Sequence, residues 1–258
     1  MNTYTDFKKN ILAYADINLD CYKEEQMKRR IDTLIERKSL KGYDEYFECI
    51  KNNKADYEEF LSYMTINVSE FFRNPEQWSV LEHDLLPDLL KKHNGKLKIW
   101  SAACSTGDEP YSLVMLLSKY MKLSDIEIIA TDIDVKILDK ARMGLYSGVS
   151  VKNVPKDFLN MYFTKIGDNT YKISDVIKDR VSFRQHDLIK DKYPIGINLI
   201  LCRNVLIYFT EAAKTDVYKK FYDALSQKSV LFIGSTEQII KYRELGYSIY
   251  KSFFYKKN

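Results

Sequence analysis

The sequence predicts an α/β fold preceded by an all-α N-terminal domain, and three observations carry that expectation. Up to about residue 90, apolar side chains recur at helical spacing. From Leu97 onward, short apolar runs alternate with amphipathic segments, the pattern of a parallel-rich sheet with helices on both faces. Trp100–Ser112 reads WSAACSTGDEPYS: an apolar run enters a small-residue turn, an acidic pair follows, and Pro110 opens a helix.

The 258 residues divide as 1–72, an all-α domain; 73–96, a linker and connecting helix; and 97–258, the α/β domain, with a β-rich insert at about 145–180. A 45% apolar share supports a packed core, and a net charge of +4 is too weak to indicate nucleic acid. The four cysteines form no CxxC pair and the three histidines are scattered, so no metal is expected. The N-terminus lacks an apolar signal core, and no apolar run nears the ~18 residues of a membrane span. A cytoplasmic protein with free thiols, not inserted in a membrane, is the resulting expectation.

In the helical part, Met27, Ile31, Leu34 and Ile35 share one helix face. Tyr43–Ile50 and Tyr57–Met64 predict two shorter helices, and Pro75 opens another that runs through Leu86 to Lys92 before Asn94–Gly95. Strands are expected at Leu97–Ser101, Glu127–Thr131, Val181–Gln185, Asn198–Cys202, Val230–Gly234 and Ser248–Tyr255, the last antiparallel. Helices are expected at Pro110–Tyr120, Val135–Met143 and Glu211–Leu225. The insert predicts a hairpin, Tyr162–Lys165 and Asn169–Ser174 about Gly167–Asp168.

The turn after the first strand contains a single glycine, Gly107, so it is neither GxGxxG nor a phosphate-binding loop. Its small residues, Ala103 among them, still admit close approach of a methionine moiety, with Glu109 facing the ammonium or merely capping the helix. In ATDID, Asp132 ends the second strand, 23 residues beyond Glu109, where a carboxylate accepts hydrogen bonds from a ribose; Asp134 is assigned the cap of the next helix. In HDL, Asp187 is placed for an adenine amino group and Leu188 for its ring, with a plain surface turn as the alternative. CRNVLIYF sets Arg203 and Asn204 at another strand's carboxyl end, with Tyr208 close behind; a structural ion pair and core packing are the competing roles. TINVSEFFR interleaves Asn67, Ser69 and Arg73 with apolar residues, as a linker folded over a site or buried beside it. The second helix is basic (Lys23, Lys28, Arg29, Arg30, Arg37, Lys38, Lys41), either a solvated face or a dock for an acidic partner. Together these point to S-adenosylmethionine rather than a dinucleotide.

NVSEFFR, WSAACSTG-x-EPYS, ATDID and CRNVLIYF, in this order over essentially the whole chain, resemble the chemotaxis receptor methyltransferases, the CheR family. TINVSEFFR and GSTEQI at Gly234–Ile239 are similar to its Gram-positive branch. The resemblance implies a Rossmann-like S-adenosylmethionine-dependent methyltransferase domain with a small β-subdomain insert, and methylation of receptor glutamates to methyl esters with S-adenosylhomocysteine as product. It implies cofactor contacts at Asn67, Ser69, Arg73, Glu109, Asp132, Asp187, Leu188, Arg203 and Asn204, and places Arg73 and Tyr208 near the transferred methyl. It assigns docking on the receptor's cytoplasmic helices to Lys28, Arg29, Arg30, Arg37 and Lys38. Asp108 stands where Glu is common, and the turn at Gly167–Asp168 is shorter than in members that hold a receptor C-terminal pentapeptide, so tethered docking is not expected. A monomer that binds no nucleic acid is expected. A nucleic-acid methyltransferase, which lacks support from any [DN]PPY-type string, and a non-catalytic S-adenosylmethionine-sensing adaptor are the alternatives.

Overall fold

The computed structural model describes residues 3–65 and 67–258; Met1, Asn2 and Ile66, the last within TINVSEFFR, lie outside the described residues. The chain forms two compact units. One contains α1 (Tyr4–Ala15), α2 (Glu24–Arg37), α3 (Tyr43–Asn52) and α4 (Lys54–Met64), together with Val205–Val217; the other contains Asn67–Asn204 and Tyr218–Asn258. No described helix is long and apolar enough to cross a membrane.

The helical unit closes on an aromatic centre. Phe7 of α1 stacks on Tyr46 of α3 with centroids 6.0 Å apart and meets Phe60 of α4 edge-on at 6.3 Å. The predicted face of α2, Met27, Ile31, Leu34 and Ile35, is buried.

The larger unit begins with α5 (Pro75–Val80) and α6 (Leu86–Lys92). The single helix expected here is interrupted by a π-helical turn at Leu81–Leu85. Carbonyls within this turn find outside donors: Tyr120 Oη donates to Glu82 O at 2.7 Å and Tyr250 Oη to Asp84 O at 3.2 Å. Then follow β1 (Ile99–Ala102), α7 (Asp108–Leu117), β2 (Ile128–Asp132), α8 (Val135–Met143), β3 (Leu145–Ser147), α9 (Lys156–Tyr162), β4 (Phe163–Lys165), β5 (Thr170–Ile173), α10 (Asp175–Lys178), β6 (Val181–Gln185), β7 (Ile197–Cys202), α11 (Glu211–Ala224, of which the residues up to Val217 belong to the helical unit), β8 (Leu225–Ile233), β9 (Tyr247–Lys251) and β10 (Phe254–Lys257). Their seven-stranded sheet has the order β6-β2-β1-β7-β8-β10-β9, and β3, β5 and β4 form the small antiparallel sheet of the insert.

β1 and β7 are buried at every position, as central parallel strands covered on both faces must be. The chain winds outward from β1 through β2 to β6 and then returns to lay β7 on the other side of β1. That reversal opens a crevice at the carboxyl ends of β1 and β7, where open α/β sheets bind ligands.

Two expectations are corrected here. The single strand at Ser248–Tyr255 is a hairpin, β9 and β10, turning through Phe253 at φ 71°. Helix α7 starts at Asp108, before Pro110, with Gly107 at φ 85° as its N-cap. Pro110 still lies in the first turn, where its missing N–H breaks no helical bond. A Cβ at Gly107 would sit 3.0 Å from both Ala141 Cβ and Tyr111 Cε2. Gly107→Ala therefore combines a left-handed penalty with overpacking, and we expect a loss of roughly 1–3 kcal/mol. Urea unfolding checks this; an unchanged midpoint would show that the turn relaxes freely.

Candidate active site

Loops after β1, β2, β6 and β7 carry the polar residues at the carboxyl edge of the sheet. The first follows β1, where Ala103 (φ 60°), Ser105 (φ 50°) and Gly107 all take left-handed backbone conformations. Such a run turns successive N–H groups toward one side, and one of them is used at once: Ser105 N donates to Asp132 Oδ2 at 2.8 Å. Asp132 Oδ1 accepts from Asp134 N at 3.1 Å, while Asp134 Oδ1 caps α8 through Ile137 N at 3.2 Å. The cap expected at Asp134 is present.

Asp132 is buried, and burial pushes its carboxyl up to about 6 although the backbone donors pull it down. Asp187 is built alike at the end of β6: its Oδ1 accepts Ile189 N at 2.7 Å, and burial raises its carboxyl. Leu188 beside it is buried and its carbonyl is held by Tyr193 Oη at 2.7 Å.

Glu109, in the first turn of α7, accepts from Ser101 Oγ at 2.9 Å and pairs with Arg203 at 3.5 Å. Burial raises its carboxyl and the Arg203 guanidinium opposes that shift. Arg203 is itself almost wholly buried; its Nη2 donates to Arg73 O at 2.8 Å, Asn74 Oδ1 at 3.2 Å and Gln77 Oε1 at 2.9 Å, and the guanidinium lies 4.5 Å from the Phe232 ring centroid. The structural ion pair considered for Arg203 is present, and it orients Glu109.

The segment before α5 folds onto this unit. Phe71 N donates to Ser150 O at 3.0 Å and Phe72 N to Ser112 Oγ at 3.0 Å. Asn67 reaches Asp134 Oδ2 at 3.2 Å and accepts from Ser105 Oγ at 3.4 Å; Ser69 is a hydrogen-bond partner of the buried Asp108. Arg73 Nη1 donates to Val68 O at 3.3 Å. Asn67, Ser69, Arg73, Ala103, Glu109, Asp132, Asp187, Leu188, Arg203 and Asn204 all lie in this one unit.

Tyr208 belongs to the helical unit. Its carbonyl accepts from Lys23 N at 2.9 Å, Phe209 bridges to Tyr22 with their rings 4.9 Å apart, and a pocket of about 160 Å³ is lined by Tyr208, Lys23, Gln26, Arg29 and Arg30 with Met27 and Met64. The basic residues of α2 are not equivalent. Lys38 is held by Asp56 at 2.6 Å and Glu59 at 2.7 Å, and Arg30 donates through Nε to Tyr63 O at 2.8 Å. Lys28 pairs with Asp32 at 2.8 Å; Lys28, Arg29 and Arg37 are exposed.

Two polar residues of the crevice edge escaped the sequence reading. Gln77 is buried against Arg203 as described. Glu237, within GSTEQI, accepts Asn204 N at 2.8 Å and Gly234 N at 2.7 Å. The only sequence signal for it is an acid three residues beyond a glycine at a strand end.

Two family models match the chain: CheR methyltransferase, all-alpha domain, over residues 2–65, and CheR methyltransferase, SAM binding domain, over residues 67–251. The chain is 41% identical over 254 residues to a chemotaxis protein methyltransferase of Listeria monocytogenes, covering 98% of this chain and 97% of that one. It is 37% identical over 223 residues to chemotaxis protein methyltransferase 2 of Vibrio cholerae, with 84% and 77% covered. To a chemotaxis protein methyltransferase of Borreliella burgdorferi it is 32% identical over 254 residues, with 94% and 89% covered. The cofactor of the larger unit is S-adenosylmethionine. The crevice fits it chemically: the edge is rich in acceptors (Asp132, Asp187, Glu109 and the buried, unpartnered Asn204 Oδ1), and the cofactor brings donors in its ammonium, ribose hydroxyls and adenine amino group.

Asp132→Ala should weaken S-adenosylhomocysteine binding by at least about tenfold, since bonds to a charged acceptor contribute about 1.5–3 kcal/mol. Protonation removes the acceptor charge, so wild-type affinity should fall as pH drops through about 6, and this dependence should be lost in the variant. Calorimetric titration between pH 7.5 and 5 checks both; unchanged affinity at pH 7.5 would remove Asp132 from the ribose site.

Proposed function

We propose that this chain, which belongs to the CheR family of S-adenosylmethionine-dependent chemotaxis methyltransferases, methylates glutamate side chains of chemoreceptors as a protein-glutamate O-methyltransferase. The products are a glutamyl methyl ester and S-adenosylhomocysteine. The observation that carries the reading is the buried Asp132 carboxylate at the end of β2, anchored by backbone donors and paired with no cation among the described residues. A carboxylate so placed needs hydroxyl donors, and a ribose supplies them.

The bound cofactor supplies an electrophilic methyl on a sulfonium centre. A glutamate carboxylate is already ionised at neutral pH, so the attack needs no general base. That agrees with a site whose buried cysteines, Cys104 and Cys202, have thiols pushed up by burial. Asp132 and Asp187 hold the adenosine, the former through the ribose and the latter through the adenine amino group. Leu188 lies against the adenine, and Ala103 admits the methionine backbone. Glu109, steadied by Arg203 and Ser101, faces the methionine ammonium. Asn67 and Ser69 close the segment over it. Arg73 orients the incoming carboxylate, and Tyr208 positions the substrate. Most of the acceleration comes from holding nucleophile, methyl and sulfur in line.

The substrate is the cytoplasmic helical region of a receptor, met by α2. Lys28, Arg29 and Arg37 present exposed charge to it, while Arg30 and Lys38 work from less exposed positions already engaged within the unit. The enzyme acts as a cytoplasmic monomer.

Radiolabelled methyl transfer to receptor-rich membranes, followed by base treatment, tests the reaction: label released as methanol is expected, and base-stable label would contradict an ester product. The combined Arg29→Glu and Arg37→Glu change should cut receptor methylation at least about tenfold, with cofactor affinity within twofold of wild type. Methylation rates together with calorimetry check this; parallel loss of both activities would indicate misfolding and leave α2 without a docking role.

A further inference from the structure

We infer that Glu237 is a positioning residue for cofactor binding, acting through Asn204. This rests on the reading of Asn204 as a cofactor contact. The ladder between β7 and β8 ends at Cys202 and Ile233. Just beyond, the strands are joined by one side chain: Glu237 Oε2 receives Asn204 N at 2.8 Å and Gly234 N at 2.7 Å. A turn makes this possible, since Glu237 N donates to Gly234 O at 3.0 Å and folds the carboxylate back onto the strand ends. The approach is too close for any side chain at Gly234, where a Cβ would lie 2.7 Å from both Asn204 N and Glu237 Oε2.

Asn204 depends on this support. Its backbone is left-handed, φ 60°, a conformation that persists in a non-glycine residue only when its surroundings fix it. The same turn directs the side chain: Asn204 Nδ2 donates to Thr236 Oγ1 at 3.4 Å, which leaves Oδ1 buried and without a partner. An unmet buried acceptor is unfavourable until a donor arrives, and the cofactor's ammonium and hydroxyls are donors. Glu237 thus holds Asn204 with its acceptor ready.

Charge and reach can be separated. Glu237→Gln keeps an oxygen at the same reach without the charge; Glu237→Asp keeps the charge but is one methylene too short to serve both N–H groups. Positioning predicts that Gln binds S-adenosylhomocysteine within about threefold of wild type, while Asp and Ala lose about tenfold or more. It also predicts a raised KM for S-adenosylmethionine with kcat little changed. Asn204→Ala should lose comparable affinity, and adding Glu237→Asp to it should cost little more, because both act through one contact. The measurements are calorimetry and steady-state methylation on the full chain, with thermal unfolding to confirm the fold of each variant. Should Glu237→Ala fail to fold, the comparison of Gln with Asp decides alone. Wild-type affinity in Asp together with weakened binding in Gln would overturn the inference in favour of a charge effect. Wild-type affinity in Asp and Gln alike, with Asn204→Ala weakened, would overturn it outright. Wild-type affinity in Asn204→Ala would instead remove the underlying role of Asn204, and this inference with it.

Discussion

The buried guanidinium of Arg203 is the interaction on which the crevice depends. Burying a cation is unfavourable by several kcal/mol unless its surroundings replace water. Here Glu109 supplies charge, and Arg73 O, Asn74 and Gln77 supply acceptors, while Phe232 offers a ring face. Burial still pulls the group below its ordinary range, with Glu109 opposing the shift. The partners come from distant parts of the chain: the first turn of α7, the entry to α5 and its first turn, and β8. One side chain therefore sets the relation between the linker segment and the turn after β1. Loss of Arg203 would leave Glu109 as a buried carboxylate with no cation to offset it.

The same edge concentrates unusual backbone geometry. Phe72, Asn74, Ala103, Ser105, Gly107 and Asn204 all have positive φ. Left-handed residues other than glycine are unfavourable, so their gathering around one crevice marks a surface shaped for a ligand rather than for stability. Backbone N–H groups at this edge do not go to waste in solvent. Ser105 N and Asp134 N are used to hold Asp132, and Asn204 N to meet Glu237. The site is built by spending backbone donors on carboxylates.

Much of this was legible in the sequence, for local reasons. The buried central strands are continuous apolar runs, and the small-residue turn, the acid at the end of β2 and the cap two residues later are each set by neighbours in the chain. What was not legible is long-range or lacks a residue signature. The β9–β10 turn runs through Phe253 in a left-handed conformation, with no glycine, proline or asparagine to announce it. Gln77 meets Arg203 across 126 residues of chain, a pairing no periodicity encodes. Residues 205–217 follow a sheet strand yet pack with the helices, because Phe209 finds Tyr22. Charge on α2 was visible, but not that Lys38 is committed to Asp56 and Glu59.

The proposed seat of the methyl donor is the crevice between the carboxyl ends of β1 and β7. A crystal structure of the chain with S-adenosylhomocysteine tests this most directly. The expected result is the ribose hydroxyls on Asp132, the adenine beside Asp187 and Leu188, and the methionine ammonium near Glu109 and Asn204. Density for the ligand at any other edge of the sheet, or side chains of the protein itself filling that crevice at saturating ligand, would contradict it.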